Sequence, residues 1–143
     1  MTTTRRFGPF ELGELLGGGM GLVYRARRVG TAGECAVKVL RRDRLLDGEA
    51  RARFEREARS LARLHHPNIC PVLDAGEVDG LPFLCMPLLR GRTLAAHDEP
   101  MRMRDWRSHV VLAAKLARAL DAVHRAGIVH RDIKPSNILI DER

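Results

Sequence analysis

His130-Arg131-Asp132-Ile133-Lys134-Pro135-Ser136-Asn137 is the stretch on which the fold and chemistry of this 143-residue chain turn. It is a polar loop between a helical pattern that stops at Gly127 and a short apolar run, 138–140 (ILI). A carboxylate, an ammonium two residues on and an amide five residues on share that loop. Together they suit phosphoryl transfer. Asp132 can position and deprotonate a hydroxyl, Lys134 can neutralise phosphate charge, and the amide oxygen of Asn137 can hold a magnesium ion. A plain solvated turn would also use Pro135-Ser136-Asn137, so the loop alone is compatible with both readings.

Working outward, 106–126 carries apolar residues at helical spacing: Val110, Ala113, Leu116, Ala117, Leu120 and Val123. Asp105 is placed as its N-cap, and Gly127 supplies the stop. Pro87 and Gly91 mark a linker before it. Upstream, 69–78 and 81–86 read as strands around the turn Asp79-Gly80. The segment 47–64 switches to a helical period, with Phe54, Glu57, Leu61 and Leu64 on one face and a stop at His66-Pro67-Asn68. Glu57 is a carboxylate on the stripe that should face the core. Three further strands, 10–16 (FELGELL), 22–28 (LVYRARR) and 34–40 (ECAVKVL), are joined by short turns. That arrangement predicts an antiparallel meander rather than βαβ units.

The first of those turns is Gly17-Gly18-Gly19-Met20-Gly21. A dinucleotide fingerprint needs a helix directly after its glycines, and Leu22-Val23-Tyr24 is strand-like. A P-loop needs Gly-Lys-Ser/Thr, which is absent. What remains is a strand–glycine–strand flap whose bare backbone can approach phosphate, or a structural hairpin turn.

Composition (45% hydrophobic, 30% charged) describes a globular domain. No run approaches the roughly 18 apolar residues of a membrane span, and no apolar stretch follows the basic N-terminus to make a secretory signal. The net charge of +7 raises a nucleic-acid partner, but the basic residues are scattered, and only three of the 25 are lysines. Solvated arginine faces account for them, and no nucleic-acid partner is expected. Cys35, Cys70 and Cys85 are odd in number and set among apolar residues. They predict reduced, buried thiols in a cytoplasmic protein rather than disulfides or a zinc site.

Val23, Ala36-Val37-Lys38, Glu57 and the loop 130–137 occur in the order and approximate spacing of the eukaryotic-type protein kinase signature. The Gly-Met-Gly flap, Arg56-Glu57-Ala58, His66-Pro67-Asn68-Ile69 and Gly91-Arg92-Thr93-Leu94 also resemble that family, especially its bacterial subgroup. Lys134 resembles the serine/threonine branch. The resemblance covers 10–141 and implies an α+β fold: a five-stranded antiparallel N-lobe sheet with one helix, followed by the incomplete, helical start of a C-lobe. It implies a tail over 1–9, the N-lobe over 10–86, a hinge over 87–91 and a truncated C-lobe over 92–143.

The resemblance also implies roles. Lys38 would reach the α- and β-phosphates of ATP, and Glu57 would pair with Lys38. Val23 and Ala36 would close over and under adenine, with Met86 as gatekeeper and the backbone of Pro87 to Leu89, Leu88 at its centre, as hinge. Asp132 would be the catalytic base, beside Lys134 and the Mg2+ ligand Asn137, and Arg131 would pair with a phosphorylated activation loop. The implied cofactors are ATP and Mg2+, and the implied partners are proteins presenting serine or threonine. Three departures stand out. Gly18 and Gly21 fit the second and third flap glycines, which puts Leu16 in the first position unless Gly17 is displaced by a deletion. Pro87 replaces the usual acidic hinge residue. No Asp-Phe-Gly follows Asn137, so the chain as given is expected to be inactive or nearly so. Its second helix is then expected to expose apolar surface and to self-associate. A nucleotide- or partner-binding module without catalysis is the alternative.

Overall fold

The computed structural model describes residues 4–18, 21–96, 106–130 and 132–141. Its contacts form two compact units, one drawn from Met1–Arg63 and Cys70–Leu88, the other from Leu64–Ile69 and Leu89–Arg143.

The first unit is a six-stranded antiparallel sheet carrying one helix. Its strands are β1 (Arg5–Phe7), β2 (Phe10–Gly18), β3 (Gly21–Arg28), β4 (Glu34–Leu40), β5 (Asp74–Val78) and β6 (Leu81–Pro87), in the order β1-β2-β3-β4-β6-β5. The expected meander is β2-β3-β4, with β6 added beside β4. The sheet therefore has one strand more than the five expected, because Arg5–Phe7 folds back on β2 instead of forming a tail. Arg5 and Arg6 show no apolar alternation, but Phe7 opposes Phe10 across the Gly8-Pro9 turn and both are buried. Gly8 makes that turn at φ +51°, and a Cβ there would lie 2.5 Å from Val78.

One face of the sheet buries Phe7, Phe10, Leu12, Val37, Val39 and Phe83 with Cys35 and Cys85. Phe10 and Phe83 meet edge to face at 5.3 Å. The other face receives α1 (Gly48–Leu61) through Phe54 and Ala58, which pack on Leu40 and Leu84. Asp47 caps α1, its carboxylate accepting from the amides of Glu49 and Ala50 at 3.1 Å. The helix stops three residues short of the expected end. The amide of Arg63 drops to an i−3 bond on Ser60, the tightening common at helix ends. The strand expected over 69–78 starts at Asp74, although the Leu73 amide already donates to Cys85 at 2.8 Å.

In the second unit, β7 (Gly91–Thr93) pairs with β8 (Leu139–Asp141), and α2 spans Trp106–Arg125. Gly127, at φ +75°, ends α2 in a Schellman arrangement: its amide donates to His124 and that of Ile128 to Val123. The expected cap, Asp105, lies outside the described residues. The buried line of α2 runs through Ala119 and Val123, with Leu112 and Leu116 half-buried. Val110, Ala113 and Ala117, expected in the apolar stripe, are exposed. Among the described residues no helix is long and apolar enough to cross a membrane.

Candidate active site

The first unit gathers one set of the expected residues on a single sheet face. Val23 opposes Lys38 and Ala36 opposes Met86. Side chains alternate along a strand and cross-strand partners share a face. Val23, Ala36, Lys38 and Met86 therefore line the same side, so Val23 and Ala36 share one face and do not stand over and under a flat ligand as expected. Ala36 is buried.

Lys38 sits on that face within a tight frame. Its ammonium is 3.6 Å from Glu57 Oε1 and 5.7 Å from the centre of the Phe54 ring. Glu57 and Phe54 lie one helical turn apart on α1, so α1 supplies both contacts. At 3.6 Å the ion pair is looser than a hydrogen bond, and both side chains keep some exposure (24% and 38%). Such a pair adds little stability, about 0–1 kcal/mol. Its consequence is positional, since it aims a cation along the sheet face.

The glycine flap meets Lys38 from β3. A Cβ on Gly21 would lie 3.0 Å from the Val39 carbonyl and 3.2 Å from Lys38 Cγ. Gly21 is thus the point where the flap backbone passes over the lysine stem. Gly17 opposes Val23 and Gly18 opposes Leu22, with register shifts in β2 between Leu12 and Gly17. Leu16 is exposed. Gly19 and Met20 lie outside the described residues. Leu88 directly follows Pro87, the last residue of β6, and is half-buried.

The second unit holds the other set within one loop. Asp132 Oδ2 is 2.9 Å from Lys134 Nζ and accepts from Asn137 Nδ2 at 3.0 Å. Asn137 Nδ2 also donates to the Asp132 carbonyl at 2.8 Å. The bonds close because residues Pro135–Asn137 form a single 3₁₀ turn, with the Asn137 amide donating to Lys134. His130 Nδ1 accepts from the Asp132 amide at 3.3 Å. The hydrogen bond from Lys134, then that from Asn137, hold the Asp132 carboxyl below the usual carboxylate range. Oδ2 carries both contacts, and Oδ1 has no hydrogen-bond partner among the described residues. Asn137 spends its NH₂ on Asp132, which leaves its amide oxygen as an acceptor for a hard cation. Arg131 lies outside the described residues.

Motif spacing did not show Phe54 beneath Lys38, Gly21 against its stem, or His130 bracing the Asp132 backbone. Phe54 carried a usable signal, since it stands three residues before Glu57 on the same helical face.

The first unit thus holds a lysine aimed by a helix carboxylate with bare glycine backbone against its stem, and the second an aspartate held by a lysine and an asparagine. The model of the protein kinase domain family matches residues 10–143, and the chain belongs to that family. Serine/threonine-protein kinase PknH of Mycobacterium bovis is 42% identical over 135 residues, covering 94% of this chain and 23% of that protein. Serine/threonine-protein kinase pkn3 of Myxococcus xanthus is 39% identical over 131 residues, covering 88% and 23%. Among solved structures, the Mycobacterium tuberculosis PknI kinase domain superposes with a TM-score of 0.82 at 33% identity, over 100% of this chain and 60% of that one. The chain spans about a quarter of the length of the curated relatives it matches.

Proposed function

We propose that this chain carries the nucleotide-holding and catalytic-loop parts of a serine/threonine protein kinase, which moves the γ-phosphate of ATP to a protein hydroxyl. The observation that carries the reading is the Asp132 carboxylate, held by Lys134 at 2.9 Å and Asn137 at 3.0 Å within one loop. Lys38, aimed by Glu57, binds the α- and β-phosphates, and Val23 and Ala36 cover adenine from that same face. Oδ1 of Asp132 accepts the hydroxyl proton of the substrate serine or threonine as its oxygen bonds the γ-phosphorus and the bond from that phosphorus to the bridging oxygen breaks, releasing ADP. Lys134 offsets the charge of the transferring phosphoryl group. Asn137 would hold magnesium through its amide oxygen, and the ion when bound neutralises charge on the phosphates.

Within these 143 residues Asn137 is the one magnesium ligand of the set, and no Asp-Phe-Gly is present. The polypeptide taken alone is therefore proposed to bind ATP but to transfer phosphate more slowly than one that also carries Asp-Phe-Gly. A binding module without transfer is the second reading, favoured by that same single ligand. Phosphate transfer to a serine-containing protein, abolished by Asp132→Asn, decides for the kinase. ATP affinity that ignores both magnesium and Asp132→Asn, with no transfer even when the residues are joined to an Asp-Phe-Gly segment, decides for the module. The exposed Trp106, Val110 and Val111 of α2 are proposed to drive self-association, checked by light scattering against Val111→Lys.

A further inference from the structure

We propose that the first unit has a second ligand site, on the sheet face opposite Lys38, for a small anionic amphiphile: a carboxylate with an apolar tail of about eight to twelve carbons. A cavity of about 360 Å³ opens there between β1, β3 and the turn after β4, a volume within the range of small-molecule sites. Leu12, Leu22, Tyr24 and Val39 form its apolar floor. Leu22 opposes Val39 and Tyr24 opposes Val37, whereas Val23 opposes Lys38. Strand alternation therefore puts Leu22, Tyr24 and Val39 on the other side of β3 and β4 from the proposed nucleotide face, while Leu40, the last residue of β4, also lines the cavity. A ligand in it leaves the Lys38–Glu57 pair untouched.

The rim sets the sign of the ligand. Arg5, Arg41 and Arg42 line the cavity with a single carboxylate, Asp43. Asp43 is already taken by Arg41, whose Nε and an Nη lie 3.1 Å from its two oxygens. Arg5 and Arg42 have no ion pair among the described residues. Two unmatched guanidiniums above an apolar floor fit a carboxylate head with a hydrocarbon tail, since the planar fork pairs both oxygens of such a head. An amine head would meet like charge, and a neutral hydrocarbon would leave both guanidiniums unmatched. The site does not depend on the kinase reading.

The test uses sodium decanoate on the 143-residue chain, followed by the methyl resonances of leucine and valine. A saturable shift of Leu12, Leu22 and Val39, with Val110 and Val111 of α2 unmoved, is the expected result. The double variant Arg5→Glu, Arg42→Glu, altered only at exposed positions, should bind about tenfold or more weakly. Decyltrimethylammonium should move none of the three. Shifts concentrated on Val110 and Val111 would show adhesion to the α2 surface and overturn the proposal. Undiminished affinity in the charge-reversed variant, or no saturable shift up to about 10 mM decanoate, would do the same.

Discussion

Lys134 Nζ stands 2.9 Å from the Asp132 oxygen that also accepts a hydrogen bond from Asn137. The ammonium and the amide stabilise the ionised carboxyl and lower its proton affinity. A folded-state value below the unfolded one makes the loop's gain from this group present above the ordinary carboxylate range. That gain is lost as pH falls through the lowered midpoint. NMR titration should place the Asp132 midpoint below that of an ordinary aspartate. Lys134→Ala should raise it, and Asn137→Ala should raise it less, following the order of the two causes. An unchanged midpoint in Lys134→Ala would remove the bond as its source.

Lys38, Glu57 and Phe54 separate positioning from stability. Glu57→Gln removes a loose, part-exposed ion pair, so denaturant unfolding should shift by about 1 kcal/mol or less. ATP affinity should fall several-fold in the same variant, because the ammonium loses its aim. Phe54→Ala empties a buried site that packs on Leu40 and Leu84, and should cost about 3–5 kcal/mol. Equal stability losses in the two variants would contradict this division.

The strands were legible where both composition and punctuation pointed the same way. In β4, Val37 and Val39 alternate with Ala36 and Lys38, and the observed bounds match the pattern residue for residue. β1 was not legible, because its pairing depends on Phe7 meeting Phe10 across a turn and not on any alternation of its own. In α2 the spacing indicated an apolar side but could not say which line faces a neighbour. Ala119 and Val123 are buried while Val110, equally apolar, is 56% exposed. Motif spacing brought Asp132, Lys134 and Asn137 to attention. Their mutual bonds depend on the Pro135–Asn137 turn closing the loop, which residue types alone do not dictate.

Cys85 links the core to alkaline pH. Burial, then a hydrogen bond with Cys35 on the neighbouring strand, pushes its thiol up to about 12 from the ordinary 9.0. A raised folded value means its contribution is complete below the unfolded value and is lost as pH climbs towards the folded one. Stability should therefore decline between about pH 9 and pH 12, with a shallower slope in Cys85→Ala. At pH 8, iodoacetamide should leave Cys85 unmodified in the folded chain and label it in denaturant. Rapid labelling of the folded chain would count against this burial.

Gly91 offers a remote handle on the catalytic loop. A Cβ at this position would lie 2.0 Å from the Ile140 carbonyl oxygen, a backbone atom that cannot swing aside. Gly91→Ala must therefore part β7 from β8, and β8 begins two residues after Asn137. The Leu94 amide, bonded to the Ile138 carbonyl at 2.7 Å, should lose its hydrogen-exchange protection. With its downstream anchor released, Asn137 should bond Asp132 less often, and the Asp132 midpoint should rise towards the ordinary carboxylate value. Gly33→Ala, where an added methyl meets nothing within 4 Å, is the control and should leave both readouts in place. Lost protection at Leu94 with an unmoved Asp132 midpoint would show that the 3₁₀ turn holds the loop without the strand.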